Sequence, residues 1–238
     1  MEVSHRSSSF IEFALQSEAA FRNLLDIPEH YKVLFLQGGA TLQFAAVPLN
    51  LAGPDDTADY VNTGNWSKKA AGEAKRYLNV KVAADSVDLH YESIPDPLTW
   101  RVSDNAKYLH LAVNETVVGV EFHDVPSVSD APLAADMSST ILSRPMDVSR
   151  YGVIYAGAQK NIGPAGITVV IIREDLLDRA RQETPSVINY RVMANAGSMS
   201  NTPPTFAWYV AGLVFEWIKK EGGLAVIGER NRRKAEKI

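Results

Sequence analysis

Lys160 is the residue whose surroundings best suit covalent chemistry. It lies in YAGAQKNIGPAGITVVII (155–172), between a strand that ends in Ala-Gly-Ala and a Gly-Pro-Ala-Gly turn. Small residues on both sides leave room for a flat ligand and let backbone approach closely. An amine in such a place loses solvation, which eases its deprotonation and makes it a better nucleophile. Schiff-base chemistry requires that. The same residues also suit a surface lysine in a hairpin loop. Asp136, in PLAADMSST (132–140), is the second candidate. It closes an apolar strand, and a carboxylate at a strand's C-terminal end is a common site position in open α/β sheets. A turn or N-cap aspartate is the alternative.

Three further segments could hold a ligand. In LQGGATLQF (36–44) a buried strand ends at two glycines and opens a helix. Free N–H groups and the positive end of the helix dipole make this a site for phosphate or carboxylate, or else a tight turn with no ligand. It is not GxGxxG and has no P-loop lysine, so it does not read as a nucleotide site. Trp66, in GNWSKKA (64–70), either packs over the core or stacks on a planar ligand. Asn201 and Thr202 precede a double proline in NTPPTFAW (201–208), which reads equally as a rigid turn with a cap. Lys160 and Asp136 say more as a pair, because a pyridoxal cofactor needs a lysine for its aldehyde and an acid for its pyridinium nitrogen.

The elements that must position these residues alternate. Ser7 to Leu25 is an amphipathic helix, with Phe10, Phe13, Ala14, Ser17, Phe21 and Leu24 at three- and four-residue steps. KVLFLQ (32–37) is a buried strand, and 40–52 is a helix with Pro48 as a kink or break. Strands are expected at ADYVNT, VKVAAD, KYLHLAVN, TVVGVEF, PLAADMS, YGVIYAG and GITVVIIRE. Helices are expected over 67–78 with Ser67 as a cap, over 174–183, over 205–221 and from Leu224 onward. Strands alternating with helices predict an α/β fold, a layered domain with a mostly parallel central sheet.

Composition narrows the function classes. The 238 residues are 46% hydrophobic and 22% charged, with net charge −4, as in ordinary globular proteins. No sustained basic run points to nucleic acid; Arg230–Lys237 also carries Glu236 and reads as a solvated helix face. With no cysteine there is no disulfide framework, thiolate nucleophile or Cys-ligated metal, which also disfavours a cysteine desulfurase. The five histidines show no zinc-type spacing, so no metal site is expected. No apolar run nears the roughly 18 residues of a membrane span, and the N-terminus lacks a signal-peptide core. No membrane partner and a cytoplasmic location are expected.

Taken together, seven segments resemble the phosphoserine aminotransferases, class V members of the fold-type I pyridoxal-phosphate enzymes. They are EVSHRS (2–7), VLFLQGGATLQFAAVPLNL (33–51), YVNTGNWSKKAAGEAKRY (60–77), VNET (113–116), ADMSST (135–140), GVIYAGAQKNIGPAGITVVIIRED (152–175) and MSNTPPTFAWY (199–209). Any one is weak; their order and spacing are specific. The resemblance implies a three-layer large domain over residues 1–222, with 223–238 starting the connection to a small C-terminal domain. It implies pyridoxal 5′-phosphate held by Lys160, which also moves the substrate α-proton, with Asp136 on the pyridinium nitrogen. Trp66 would stack on the ring, Thr116 would meet the ring-hydroxyl side, and Ala40, Thr41 and Gln159 would hold the phosphate. Asn201 and Thr202 would reach the phosphate of a neighbouring subunit's cofactor, implying a homodimer with shared sites. Arg6, with His5 beside it, matches a substrate-binding pair.

The implied reaction is amino transfer between glutamate and 3-phosphohydroxypyruvate, giving 2-oxoglutarate and phosphoserine in serine biosynthesis. Two departures stand out. Family members often carry Arg where this chain has Thr41. The family's N-terminal segment and small C-terminal domain have no counterpart, so the chain is expected to be truncated at both ends, to bind cofactor weakly and to turn over little alone. Met1 is either a true start or an internal methionine. The rival readings are another class V aminotransferase, of alanine–glyoxylate or serine–pyruvate type, and a non-catalytic truncated dimerisation subunit.

Overall fold

A computed structural model describes residues 3–237. Met1 and Glu2, with the start of the 2–7 segment, and Ile238, with the outer limits of both expected domain spans, lie outside the described residues. Six α-helices and nine strands follow in chain order: α1 (Ser8–Leu25), β1 (Tyr31–Leu36), α2 (Gly39–Leu51), β2 (Thr57–Asn62), α3 (Asn65–Ala74), β3 (Asn79–Asp85), β4 (Leu109–Ala112), β5 (Asn114–Glu115), β6 (Val120–Glu121), β7 (Leu133–Asp136), β8 (Val153–Gly157), β9 (Thr168–Arg173), α4 (Tyr190–Asn195), α5 (Thr205–Lys220) and α6 (Gly223–Ala235). Seven strands form one sheet in the order β1-β9-β8-β7-β4-β2-β3. Only β9 runs against its neighbours, β1 and β8; the remaining pairs are parallel. The expected α/β class with a mostly parallel sheet is borne out.

Both faces of the sheet are apolar because both are covered. Val33, Phe35, Leu111, Ile154, Val169 and Ile171 pack with Phe21, Trp208 and Phe215 of α1 and α5. On the other face, Leu34, Leu36, Tyr155 and Val170 pack with Phe44 and Val47 of α2 and Ala70 of α3. Three layers result. Helix α6 lies against α1 and α5, burying Leu224.

Several local expectations need correction. Helix α3 begins two residues before Ser67, with Gly64 at the N-cap position, and Ser67 is therefore buried at the third position of the first turn and caps it from there. Its hydroxyl accepts from the N–H groups of Thr63 and Gly64. The helix stops at Ala74, and 75–78 turn away. Pro48 does not break α2, which continues to Leu51 and accepts the Ala52 N–H on the Pro48 carbonyl at 3.2 Å. Residues 174–183 form only a 3₁₀ stretch, Glu174–Arg179. KYLHLAVN keeps just Leu109–Ala112 in the main sheet. In TVVGVEF only Val120–Glu121 is strand; residues 116–119 make the tip of a two-residue hairpin with Asn114–Glu115.

One buried polar group sits deep in the α2–α3 face. His110 shares a 2.7 Å hydrogen bond between Nε2 and the Tyr155 hydroxyl, and its ring stacks on Tyr60 at 4.8 Å. Burial lowers its pKa from 6.5 to about 3. The folded chain thus binds this proton less readily than the unfolded chain. Its stabilising contribution is complete above pH 6.5 and is lost progressively as pH falls toward 3. The His110 ring resonances should stay flat through the neutral and mildly acidic range in an NMR titration; an inflection near the ordinary histidine value would contradict this packing.

Candidate active site

The parallel strands deliver their C-terminal ends to one edge. Ala112 of β4 is level with Asp136 of β7, Asp136 with Tyr155 of β8, and both Gly157 and Leu36 of β1 with Thr168 of β9. The loops leaving these ends carry the candidate residues.

After β1 the chain turns through Gly38 (φ +89°) and Gly39 (φ +67°) into α2. A side chain at Gly38 would be strained by that φ and would also run into Leu42 at 2.3 Å. The first-turn N–H groups of Gly39, Ala40 and Thr41 have no intrahelical acceptor and point to the positive end of the helix dipole. Gly157, at the end of β8, closes on this turn. A Cβ there would lie 3.3 Å from the Ala40 nitrogen and 2.8 Å from Gln159 Oε1. Ala40 and Gln159 therefore both lie against Gly157, and the free N–H groups of the turn beside them are of the kind that suits a phosphate.

Asp136 is buried at the end of β7. Its Oδ1 accepts from Ser138 N–H at 2.9 Å and from the Ser138 hydroxyl at 2.7 Å. Ser138 Oγ in turn accepts from Gly157 N–H at 3.0 Å, which ties β7 to β8. No hydrogen bond among the described residues reaches Asp136 Oδ2, so it remains for an N–H donor of a ligand. Burial raises the Asp136 pKa; the Ser138 hydroxyl and amide and the charge of Lys160 oppose that, and Glu115 reinforces it.

Lys160 Nζ donates to Thr116 Oγ1 at 2.6 Å. A relay continues from Thr116 to Ser139 at 3.1 Å and from Ser139 to Asn114 Oδ1 at 3.1 Å. Asn161 Nδ2 donates to the carbonyls of Ser139 and Ile141, pinning the lysine loop to the segment after Asp136. Lys160 itself is exposed, so the neighbouring small residues do not desolvate its amine as the sequence suggests. Trp66 lies in the first turn of α3, with Lys69 Nζ 4.8 Å from its ring centre. Its Nε1 is buried without a partner among the described residues.

Ala40, Trp66, Thr116, Asp136, Gln159 and Lys160 are thus gathered along one sheet edge, with Thr41 beside Ala40 in the first turn of α2. Of the other four candidates, two lie elsewhere and two border the turn between β1 and α2. His5 and Arg6, 3.4 Å apart, line a cleft with Leu15, Gly197, Met199 and Trp208. Asn201 and Thr202 are exposed, and the Thr202 carbonyl accepts from Gln37 Nε2 at 2.8 Å. No hydrogen bond among the described residues joins any of the four to Lys160 or Asp136. Residue-by-residue reading misses Glu115, Ser138, Ser139 and Asn161. They are ordinary polar residues whose roles depend on which loop they face. Only the Asp-x-Ser spacing at 136–138 carries a local signal, because a short hydroxyl two residues on can bond back to a carboxylate.

The description of the aminotransferase class-V family matches residues 1–238. The chain belongs to the class-V aminotransferases. It is 58% identical over 238 residues to the phosphoserine aminotransferase of Hahella chejuensis, covering 100% of this chain and 66% of that one. Among solved structures, the phosphoserine aminotransferase of Bacillus circulans subsp. alkalophilus superposes with TM-score 0.95 at 44% identity, covering 99% of this chain and 65% of the other. The PLP-bound phosphoserine aminotransferase of Trichomonas vaginalis gives 0.95 at 43% identity, covering 99% and 70%. This class-V chain thus spans about two thirds of the length of the relatives it matches.

The raised Asp136 pKa has a stability consequence. The folded state holds this proton more tightly than the unfolded state, so stability is lost as pH rises from 3.8 through the raised value. Asp136→Asn keeps an acceptor at Oδ1 and removes the charge. In urea unfolding the variant should be at least as stable as the parent at neutral pH, the difference shrinking as pH is lowered toward 3.8.

Proposed function

We propose that this chain forms the cofactor-binding region of a phosphoserine aminotransferase, acting with pyridoxal 5′-phosphate on glutamate and 3-phosphohydroxypyruvate. The observation that carries the reading is the placement of Asp136 at the end of one strand and Lys160 on the loop leaving the adjacent parallel strand, beside the glycine turn that opens α2. The names of relatives 58% identical to the chain support the substrate class.

When bound, the cofactor supplies an aldehyde that carries the amino group and an electron sink for the carbanion left at the substrate α-carbon. The chain's own residues do the rest. Lys160 Nζ is the attachment point and holds or moves the α-proton, with Thr116 orienting it. Asp136 Oδ2 accepts the ring N–H, while Ser138 fixes the other oxygen. The N–H groups of Ala40 and Thr41, with Gln159, bind the phosphate; the Thr41 hydroxyl stands where relatives of the implied family often have arginine. Trp66 covers the ring face. Arg6 and His5 bind substrate, in a cleft separate from Lys160 within one copy of the chain. Asn201 and Thr202, exposed at the surface, meet the cofactor phosphate of a second copy, so the assembly is a homodimer. The same reading takes 1–222 as the large domain, 223–238 as the start of the connection onward, and the cytoplasm as the location.

The test is spectroscopic. Mixed with pyridoxal phosphate, the chain should gain a visible absorbance band that is absent in Lys160→Ala. The band should respond to phosphoserine and glutamate far more than to serine or alanine. A band that persists in Lys160→Ala, or a response that ignores the phosphate group, would sink this assignment.

A further inference from the structure

Glu115 is fully buried yet makes no ion pair among the described residues. Its carboxylate is instead spent on the first turn of α3. Oε2 accepts the Trp66 N–H at 2.8 Å; Oε1 accepts the Ser67 N–H at 2.7 Å and the Ser67 hydroxyl at 2.6 Å. A carboxylate at a helix N-terminus satisfies orphan N–H groups and meets the positive end of the dipole, and such charge-assisted bonds are the strong ones. The contact is also close-packed. A Cβ on Gly64 would lie 2.8 Å from Glu115 Cδ and 2.9 Å from Cγ and Oε2, so position 64 must be glycine for the carboxylate to reach the helix. Ser67, besides donating to Glu115, accepts from Thr63 and Gly64 and locks the turn that precedes Trp66.

The next residue in the chain is Thr116, which takes the Lys160 ammonium. Two consecutive residues of one short hairpin strand and its tip therefore hold two parts of the site, Glu115 the helix turn that carries Trp66 and Thr116 the loop that carries Lys160. We propose that Glu115 is a positioning residue. It sets the placement of Trp66 relative to Lys160, and hence the slot that a pyridoxal-type ring must enter. The proposal rests on the cofactor assignment above and adds to it the residue that fixes the slot. Glu115 also lies close enough for its charge to act on Asp136, so its removal changes the field at the ring as well as the geometry.

The experiment compares the parent chain, Lys160→Ala, Glu115→Gln and Ser67→Ala, each titrated with pyridoxal phosphate. Glu115→Gln keeps the volume but turns one acceptor into a donor that faces an N–H of the α3 turn. Its cofactor affinity should fall by about tenfold or more, the size of one lost charge-assisted bond. The circular dichroism of the visible band should change as Trp66 shifts. The pH midpoint of that band should fall, because a nearby negative charge that favours the protonated form is gone. Loss of melting temperature alone, with affinity, dichroism and midpoint unchanged, would mean that Glu115 only supports the fold and would overturn the proposal. If Glu115→Gln does not fold, Ser67→Ala decides: it removes the 2.6 Å donor while leaving the charge, and should weaken binding and alter the dichroism in the same direction, with no change counting against the proposal. A parent chain with no visible band overturns the cofactor assignment itself, and this inference with it. A parent band lost in Lys160→Ala but unaltered in both other variants overturns the positioning role alone.

Discussion

The sheet is sealed on both faces, and that constraint governs everything else in the molecule. Apolar side chains alternate to either side of the strands and meet helices in both directions. A polar group on a strand must therefore find a protein partner, as His110 does in Tyr155 and Asp59 in Ser103, or lie at a strand's end. Because β1, β2, β4, β7 and β8 all run the same way, their C-terminal ends and the loops that leave them fall at one edge. Asp136, the glycine turn into α2 and the Lys160 loop share that edge as a result of strand direction.

Burial then separates the roles of residues that look alike in sequence. Asp136 and Glu115 are both carboxylates buried at the ends of short strands. Asp136 commits one oxygen to Ser138 and leaves the other available. Glu115 commits both oxygens to the α3 turn. Ser67 and Ser138 likewise differ from surface serines only in having a buried carboxylate to serve. Lys160 and its partner Thr116 are exposed, while Ser139 and Asn161, which tie the lysine loop to its neighbours, are half-buried.

Much of the main sheet and its long helices could be read from their apolar patterns, with glycine or proline near several of their ends. The failures cluster where an element is short. TVVGVEF is apolar enough for a strand, but its tip exposes Val117 and Val118 and only two residues pair. Residues 174–183 have helix formers but settle into a 3₁₀ stretch that tucks Leu176 and Leu177 under α2. At the site, Lys160 and Asp136 were legible because lysine among glycines and aspartate after alanines are conspicuous. Glu115 was not, since nothing in VNET distinguishes a carboxylate that faces water from one that caps a helix 48 residues away. The resemblance named Thr116 without the contact it makes; the 2.6 Å bond to Lys160 belongs to tertiary structure.

The single reversed strand, β9, has its own effect on the lysine. Gly157 and Thr168 face each other in register, Ala158 N–H bonds the Ile167 carbonyl at 3.1 Å, and Gly163 N–H returns to Ala158 at 2.9 Å. The segment carrying Lys160 is thus a beam clamped at both ends to the same pair of neighbouring strands. In a parallel crossover, one end of such a segment would ride on a distant helix and inherit its movements. Here both ends of the loop rest on β8 and β9, and β8 is also the strand that pairs with β7, so the lysine loop and Asp136 share one strand as their common support.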